Sequence, residues 1–162
     1  VDSATREFWE DRLIRLWHRH IPLAAAMEVS IARLDAGALE LAAPLGPNAN
    51  HMGTAFGGAL QALATLAGWG ASMIIAGADF DGHMVIGDSR MRFLAPVPGP
   101  LHARCPLPPV FRQRAFRSRI ADRGRARLDL EVIIADHPGE REQARFEGRF
   151  VALAARHEPV AS

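Results

Sequence analysis

Residues Leu41 to Ala78 read LAAPLGPNANHMGTAFGGALQALATLAGWGASMIIAGA. This run contains no Asp, Glu, Lys or Arg, and from Phe56 onward it is mostly apolar. Its second half predicts one long helix from about Ala55 to Ala76. Length alone would let such a helix span a bilayer. Gly57, Gly58, Gln61, Thr65, Gly68, Gly70 and Ser72 dilute it below the apolar content of a spanning segment. It therefore reads as a helix buried inside a folded domain, with no membrane insertion expected.

A buried helix needs apolar faces to cover it, and the flanking sequence supplies them. Upstream, Trp9, Leu13, Leu16, Trp17 and His20 recur at spacings of three and four, predicting an N-terminal helix over about 4–20 capped by Asp2 or Ser3 and ended by Pro22. Glu28 to Leu34 and Ala38 to Ala43 alternate like strands around the turn Asp35-Ala36-Gly37. Downstream of Asp79–Gly82 the period is two. Val85, Gly87, Ser89, Met91 and Phe93 fall on one face, and Asp88, Arg90 and Arg92 on the other. Leu101, Ala103 and Cys105 alternate with His102 and Arg104. A strand is expected near Arg112 to Asp122, with a turn at Arg123-Gly124. Two more follow, carrying Ala126 to Ile134 and Ala144 to Ala152, with a turn at His137-Pro138-Gly139 between them. Half-buried antiparallel strands have this pattern. The economical architecture is a single α+β domain over 1–162, one antiparallel sheet wrapped around the apolar helix.

The 162 residues suffice for one core without disulfides. Composition is globular, with 49% hydrophobic and 23% charged residues. All 19 basic residues are Arg; they face 18 acidic ones for a net charge of +1. That balance argues against nucleic acid as a partner, and Arg without Lys suggests a GC-rich bacterial genome. The lone Cys105 excludes an internal disulfide and any multi-Cys metal site. No metal-ligand spacing is present, and no cofactor is expected. Val1 to His20 carry charges throughout, unlike a signal peptide, and with one Cys a reduced cytoplasm is the simpler expectation. The chain begins with Val1 rather than Met, as a trimmed chain or a piece cut from a longer polypeptide would.

The chemistry concentrates in Pro44 to Gly58. Two Asn and one His precede a glycine-rich helix start. Helix N-termini present unpaired N–H groups and the positive end of the dipole, and glycine lets a carbonyl approach closely. Gly57 and Gly58 thus suit an oxyanion site for acyl transfer; tight helix packing explains them equally well. A phosphate site is the other option, but no P-loop motif accompanies it. His51 is the one titratable side chain between Leu41 and Ala78, a candidate base or an exposed loop residue.

Ile21-Pro22-Leu23, Pro44-Leu45, Asn48-Ala49-Asn50, Gly53-Thr54-Ala55-Phe56-Gly57-Gly58 and Leu66-Ala67-Gly68-Trp69 resemble the YiiD C-terminal type of thioesterase. Phe93-Leu94-Ala95-Pro96, Gly124-Arg125-Ala126 and Phe146 to Ala152 fit the same family. The resemblance runs from about residue 10 to 155. It implies the hotdog fold and hydrolysis of an acyl thioester carried on CoA or acyl carrier protein. It also implies a homodimer, or dimer of dimers, with sheets continuous across the interface and sites between subunits. Related hotdog thioesterases of the phenylacetate-pathway type carry an Asn before the helix, His-Gly-Gly at its start, and a carboxylate seven residues after the second Gly. Asn50, Gly57 and Gly58 fit. Phe56 stands in place of the His and Thr65 in place of the carboxylate, so the usual base is missing.

On this basis Asn50, Gly57, Gly58, Thr65, His51 and Ser89 are the candidate catalytic residues. Asn50 would orient water or carbonyl, or simply cap its loop. Thr65 would position a water, or bond to the preceding turn. Ser89 falls on the apolar face of its strand, toward the helix. Phe56, Asp88, Arg90, Arg123 and Arg125 are candidate substrate contacts. Asp88 pairs most simply with Arg90 unless a second subunit brings it to a site. Arg123 and Arg125 belong to a cationic run from Arg112 to Arg127 that suits CoA phosphates, or lies on a solvated face. The missing carboxylate keeps open a protein that binds acyl thioesters without turning them over, or an accessory domain of an acyl-processing complex. A dehydratase ranks last, since its His–carboxylate pair is absent from 41–78.

Overall fold

The computed structural model describes residues 3–136 and 140–155. Asp2 and the turn expected at His137–Gly139 lie outside the described residues. The elements run α1 (Ser3–His20), α2 (Pro22–Ala26), β1 (Ser30–Leu34), β2 (Ala38–Ala43), α3 (Gly57–Ala76), β3 (His83–Phe93), β4 (Leu101–Pro106), α4 (Val110–Arg123), β5 (Arg125–Ile134) and β6 (Ala144–Leu153). Six strands form one antiparallel sheet in the order β1-β2-β4-β5-β6-β3. The sheet packs along α3, which contacts β2, β3, β4, β5 and β6. This is the hotdog arrangement that the resemblance implied.

Apolar periodicity explains the assembly. Leu39 and Leu41, Leu101 and Ala103, Leu128, Leu130, Val132 and Ile134, and Phe146 and Phe150 point inward from their strands and are buried. Leu60, Leu63, Ala64, Ala67, Ala71 and Ile75 of α3 meet them. Each large side chain so buried contributes roughly 1.5–3 kcal/mol. Small residues on α3 set the depth of approach. A Cβ on Gly68 would lie 2.5 Å from the Phe150 ring, and one on Gly70 would lie 2.9 Å from both Leu39 and Trp17. Trp9, Leu13 and Trp17 of α1 are buried and close the fold near β1. Pro22 does end α1, and it also opens α2 at its first turn, where a missing N–H costs nothing. Helix α3 is long and apolar enough to cross a membrane, but about two-thirds of it (67%) is buried inside the domain.

Two expectations are corrected. The segment expected as a strand near Arg112 to Asp122 is helix α4. It starts after Pro108-Pro109 and ends at Gly124, whose φ of 62° is the left-handed C-terminal stop that glycine favours. Gln113, Phe116, Arg117 and Ile120, spaced by three and four, turn toward the core. The second correction is in β3. Its register with β6 slips between Ile86 and Asp88 at Gly87. Ser89, Met91 and Phe93 keep the inward face, opposite Gly148, Phe146 and Ala144. Before the bulge, Met84 and Ile86 take that face, and Val85 turns outward beside Val151. One extra residue reverses the alternation.

Candidate active site

The loop between β2 and α3 is held by side chains. Asn48 is buried and donates Nδ2 to the carbonyls of Met27 (2.9 Å) and Pro44 (2.7 Å). Asn50 braces the next turn. Its Oδ1 accepts from the Met52 N–H (2.8 Å) and the Thr54 N–H (3.2 Å), and its Nδ2 donates to Thr54 Oγ1 (3.0 Å) and more weakly to the Ala55 carbonyl (3.4 Å). The Ala55 N–H reaches the Val97 carbonyl (2.8 Å), and the Phe56 N–H reaches the Asn48 carbonyl (2.8 Å). These bonds aim the chain into the first turn of α3.

That first turn is open. Phe56 is the N-cap residue and offers no side-chain acceptor. The Ala59 and Leu60 N–H groups turn back to the Phe56 carbonyl, while those of Gly57 and Gly58 have no hydrogen-bond partner among the described residues. Gly57 lines a cleft of about 410 Å³ together with Asn50, Thr54, Ala55, Leu60 and the stretch Phe93–Val97; Gly58 follows it in the same turn. The Phe93 ring lies 3.4 Å from where a Gly57 Cβ would be, and the Phe56 ring stands closer, 2.5 Å from where a Gly58 Cβ would be. No acid or base lines this cleft.

A polar row continues down α3. Gly57, Gln61, Thr65 and Trp69 recur every four residues and face the inward side of β3. Gln61 Nε2 reaches Ser89 Oγ at 3.4 Å, Thr65 Oγ1 donates to the Gln61 carbonyl at 2.8 Å, and Trp69 Nε1 donates to the Met84 carbonyl at 2.7 Å. Thr65 is half-buried and Ser89 exposed. The sequence reading passed over Gln61, counting it only as a polar dilution of the helix. Its spacing of four from both Gly57 and Thr65 was the available signal.

The remaining candidates lie apart. His51 is exposed at the tip of the loop, and no hydrogen bond is found for its side chain among the described residues. Asp88 and Arg90 face outward from β3, in a depression shared with Asp129, Glu147 and Arg149. Arg123 and Arg125 are exposed where α4 turns into β5, beyond the C-terminal end of α3. Cys105 is fully buried, and loss of hydration pushes its thiol up to about 12. It is core filling, not a nucleophile.

Among solved structures, the chain is 28% identical to a Chlorobaculum tepidum protein of unknown function, covering 90% of this chain and 94% of that one with a TM-score of 0.85. It is also 28% identical to a Shewanella oneidensis protein described as a "putative thioesterase", covering 91% and 99% with a TM-score of 0.76. A Pseudomonas aeruginosa protein described as a "Probable Thioesterase" shares the fold at 23% identity, with 90% and 95% coverage and a TM-score of 0.74. Residues 10–154 match the family model described as "Putative thioesterase (yiiD_Cterm)". That match takes in the loop, the open helix turn and all six strands, and the chain belongs to the YiiD C-terminal thioesterase family.

Proposed function

We propose that the protein hydrolyses an acyl thioester, with the N–H groups of Gly57 and Gly58 receiving the carbonyl oxygen as negative charge develops on it. The observation that carries this reading is the pair of unpartnered N–H groups at an uncapped helix start, with Gly57 on the wall of a cleft that also holds Leu60, Phe93 and Leu94. Such donors stabilise a tetrahedral oxyanion. Leu60, Phe93 and Leu94 offer an apolar wall to the acyl chain. Asn50 holds the loop in place. Gln61, Thr65 and Ser89 position the attacking water beside the helix. Water adds to the carbonyl carbon, the C–S bond breaks, and the thiolate leaves as the free thiol after taking up a proton. The thioester is carried by CoA or by a carrier protein in the cytoplasm.

The working unit in this reading is a homodimer. Strand β3 is an eleven-residue edge with Val85, Ile86 and Phe93 exposed, an edge that invites pairing with another strand. A second copy paired there would cover the Gln61–Thr65 row and supply the acid or base that the cleft lacks.

The cleft's lack of any titratable side chain favours one other reading, a protein that binds acyl thioesters without hydrolysing them. Thiol release from acyl-CoA esters of increasing chain length separates the two. Hydrolysis predicts turnover by the wild type and a drop of about tenfold or more in kcat/KM for Asn50→Ala. A raised Tm with acyl-CoA and no thiol release would establish binding alone. Neither effect with acyl-CoA or with an acylated carrier protein would overturn the thioester reading.

A further inference from the structure

One strongly charged surface takes no part in the cleft. Residues 110–127 hold seven of the 19 basic residues and one of the 18 acidic ones, leaving the rest of the chain net acidic by five charges. The fold gathers these arginines. Helix α4 turns at Gly124 directly into β5 and packs against it. Spacings of seven and four put Arg112, Arg119 and Arg123 on one ridge of α4. Alternation puts Arg125 and Arg127 on the outward face of β5, and all five are exposed. Arg117 alone turns inward, donating to the Ile75 carbonyl at 2.9 Å. Elsewhere on the outer sheet face arginines meet carboxylates, as in Arg104–Glu40, Arg149–Asp129 and Arg145–Glu131. The five ridge arginines have no ion pair among the described residues. At the start of α4, Val110 and Phe111 stand 59% and 70% exposed.

We propose that this ridge docks an acidic carrier protein that presents the acyl thioester to the cleft, with Phe111 as the apolar anchor. The proposal rests on the thioester reading above and names the carrier. Charge complementarity is the first ground: guanidinium forks bind carboxylates in pairs. Breadth is the second: five exposed arginines spread along a fourteen-residue helix and onto the following strand span more surface than the phosphates of one small thioester. Exposed Phe beside Arg is the third, since aromatic and Arg side chains anchor protein interfaces. Within one chain α4 meets α3 near its C-terminal end, where Arg117 bonds the Ile75 carbonyl, whereas Gly57 opens the other end of a helix about 30 Å long by helix rise. In an antiparallel pairing of two β3 edges the copies run in opposite directions. One copy's ridge then stands at the end where its partner's open helix turn lies.

The test uses a purified bacterial acyl carrier protein bearing an octanoyl thioester, and octanoyl-CoA, each titrated against wild type and Arg119→Glu/Arg123→Glu. The reversal is expected to raise the carrier protein Kd by about tenfold or more, and salt to weaken wild-type binding. Octanoyl-CoA affinity should stay within about twofold. Equal losses for both ligands would mean a phosphate site and overturn the proposal, as would no wild-type binding of the carrier protein. The exposed control Arg19→Glu/Arg141→Glu changes net charge equally; if it weakens the carrier protein as much, the ridge is not the surface. Circular dichroism melts establish that the variants fold. Carrier protein that binds without thiol release, and is lost on the reversal, supports docking while overturning hydrolysis.

Discussion

At the scale of single residues, two glycines of α3 separate packing from the proposed chemistry. A Cβ at Gly68 meets the ring of Phe150, which is fully buried and has nowhere to go. Gly68→Ala therefore costs about 1–3 kcal/mol through overpacking, despite the gain of up to ~1 kcal/mol in helix propensity. A Cβ at Gly58 meets the ring of Phe56, which is 58% exposed and free to swing aside. Gly58→Ala is expected to keep its urea midpoint, yet to lose thioester turnover by about tenfold because the methyl and the displaced ring crowd the oxygen site. Equal effects on stability from the two variants would contradict this split. The glycines could be flagged from sequence, but not sorted. Both look alike until Phe150 and Phe56 are placed against them, and those contacts join residues far apart in the chain or depend on a rotamer. The two Asn residues were similarly visible as types, whereas their bonds to Met27, Pro44 and Thr54 follow from the loop's path.

At the scale of elements, legibility tracked how far a segment's own pattern fixed its partner. Helix α3 was readable because its apolar content needs burial on nearly every side. Strands β2, β4, β5 and β6 were readable because each buries one face. Helix α4 was not, because the pairs Arg112/Arg114 and Arg117/Arg119 each carry the two-residue spacing of a strand face. The decisive signals were Phe116 and Ile120 four apart, Pro109 before and Gly124 after. Gly87 likewise marked the β3 bulge, as an isolated strand glycine often does. The turn from β1 to β2 carries a pH-dependent prediction. Asp35 Oδ1 accepts from the Gly37 N–H (2.7 Å) and the Ala38 N–H (3.0 Å). The Gly37 bond chiefly holds its carboxyl below the ordinary range, with Ala38 and Arg33 assisting against desolvation. A lowered carboxylate pKa stabilises the fold fully above the unfolded value and is lost as pH falls through the folded one. Asp35→Ala should therefore lower Tm at neutral pH, and the gap from wild type should narrow below about pH 4. A gap independent of pH would show that the carboxylate is not the source.

At the scale of the whole molecule, the sheet is asymmetric. β1 ends it on one side, close to α1 and α2. On the other side β3 is long, exposed and bears apolar side chains. Scattering should give twice the chain mass in solution. Val85→Lys/Ile86→Lys, which places charge on that edge, should shift the mass to one chain while the far-UV spectrum is kept. A dimer that survives the substitution would place its interface elsewhere. The separation of the open helix turn from the arginine ridge within one chain makes pairing more than a matter of stability, since it decides which ends of two copies meet.

The uncapped start of α3 has an evolutionary side. Phe56 holds the extended backbone of an N-cap, φ −66° and ψ 133°, without the oxygen that would satisfy the turn. Ser at an N-cap commonly adds about 1 kcal/mol to helix stability by occupying a first-turn donor. In the proposed hydrolysis the same oxygen would compete with the substrate for the donors it came to satisfy. On that reading, selection for thermal robustness and selection for turnover pull opposite ways at one codon. A lineage that traded Phe56 for Ser would then gain a sturdier fold and lose thioester turnover.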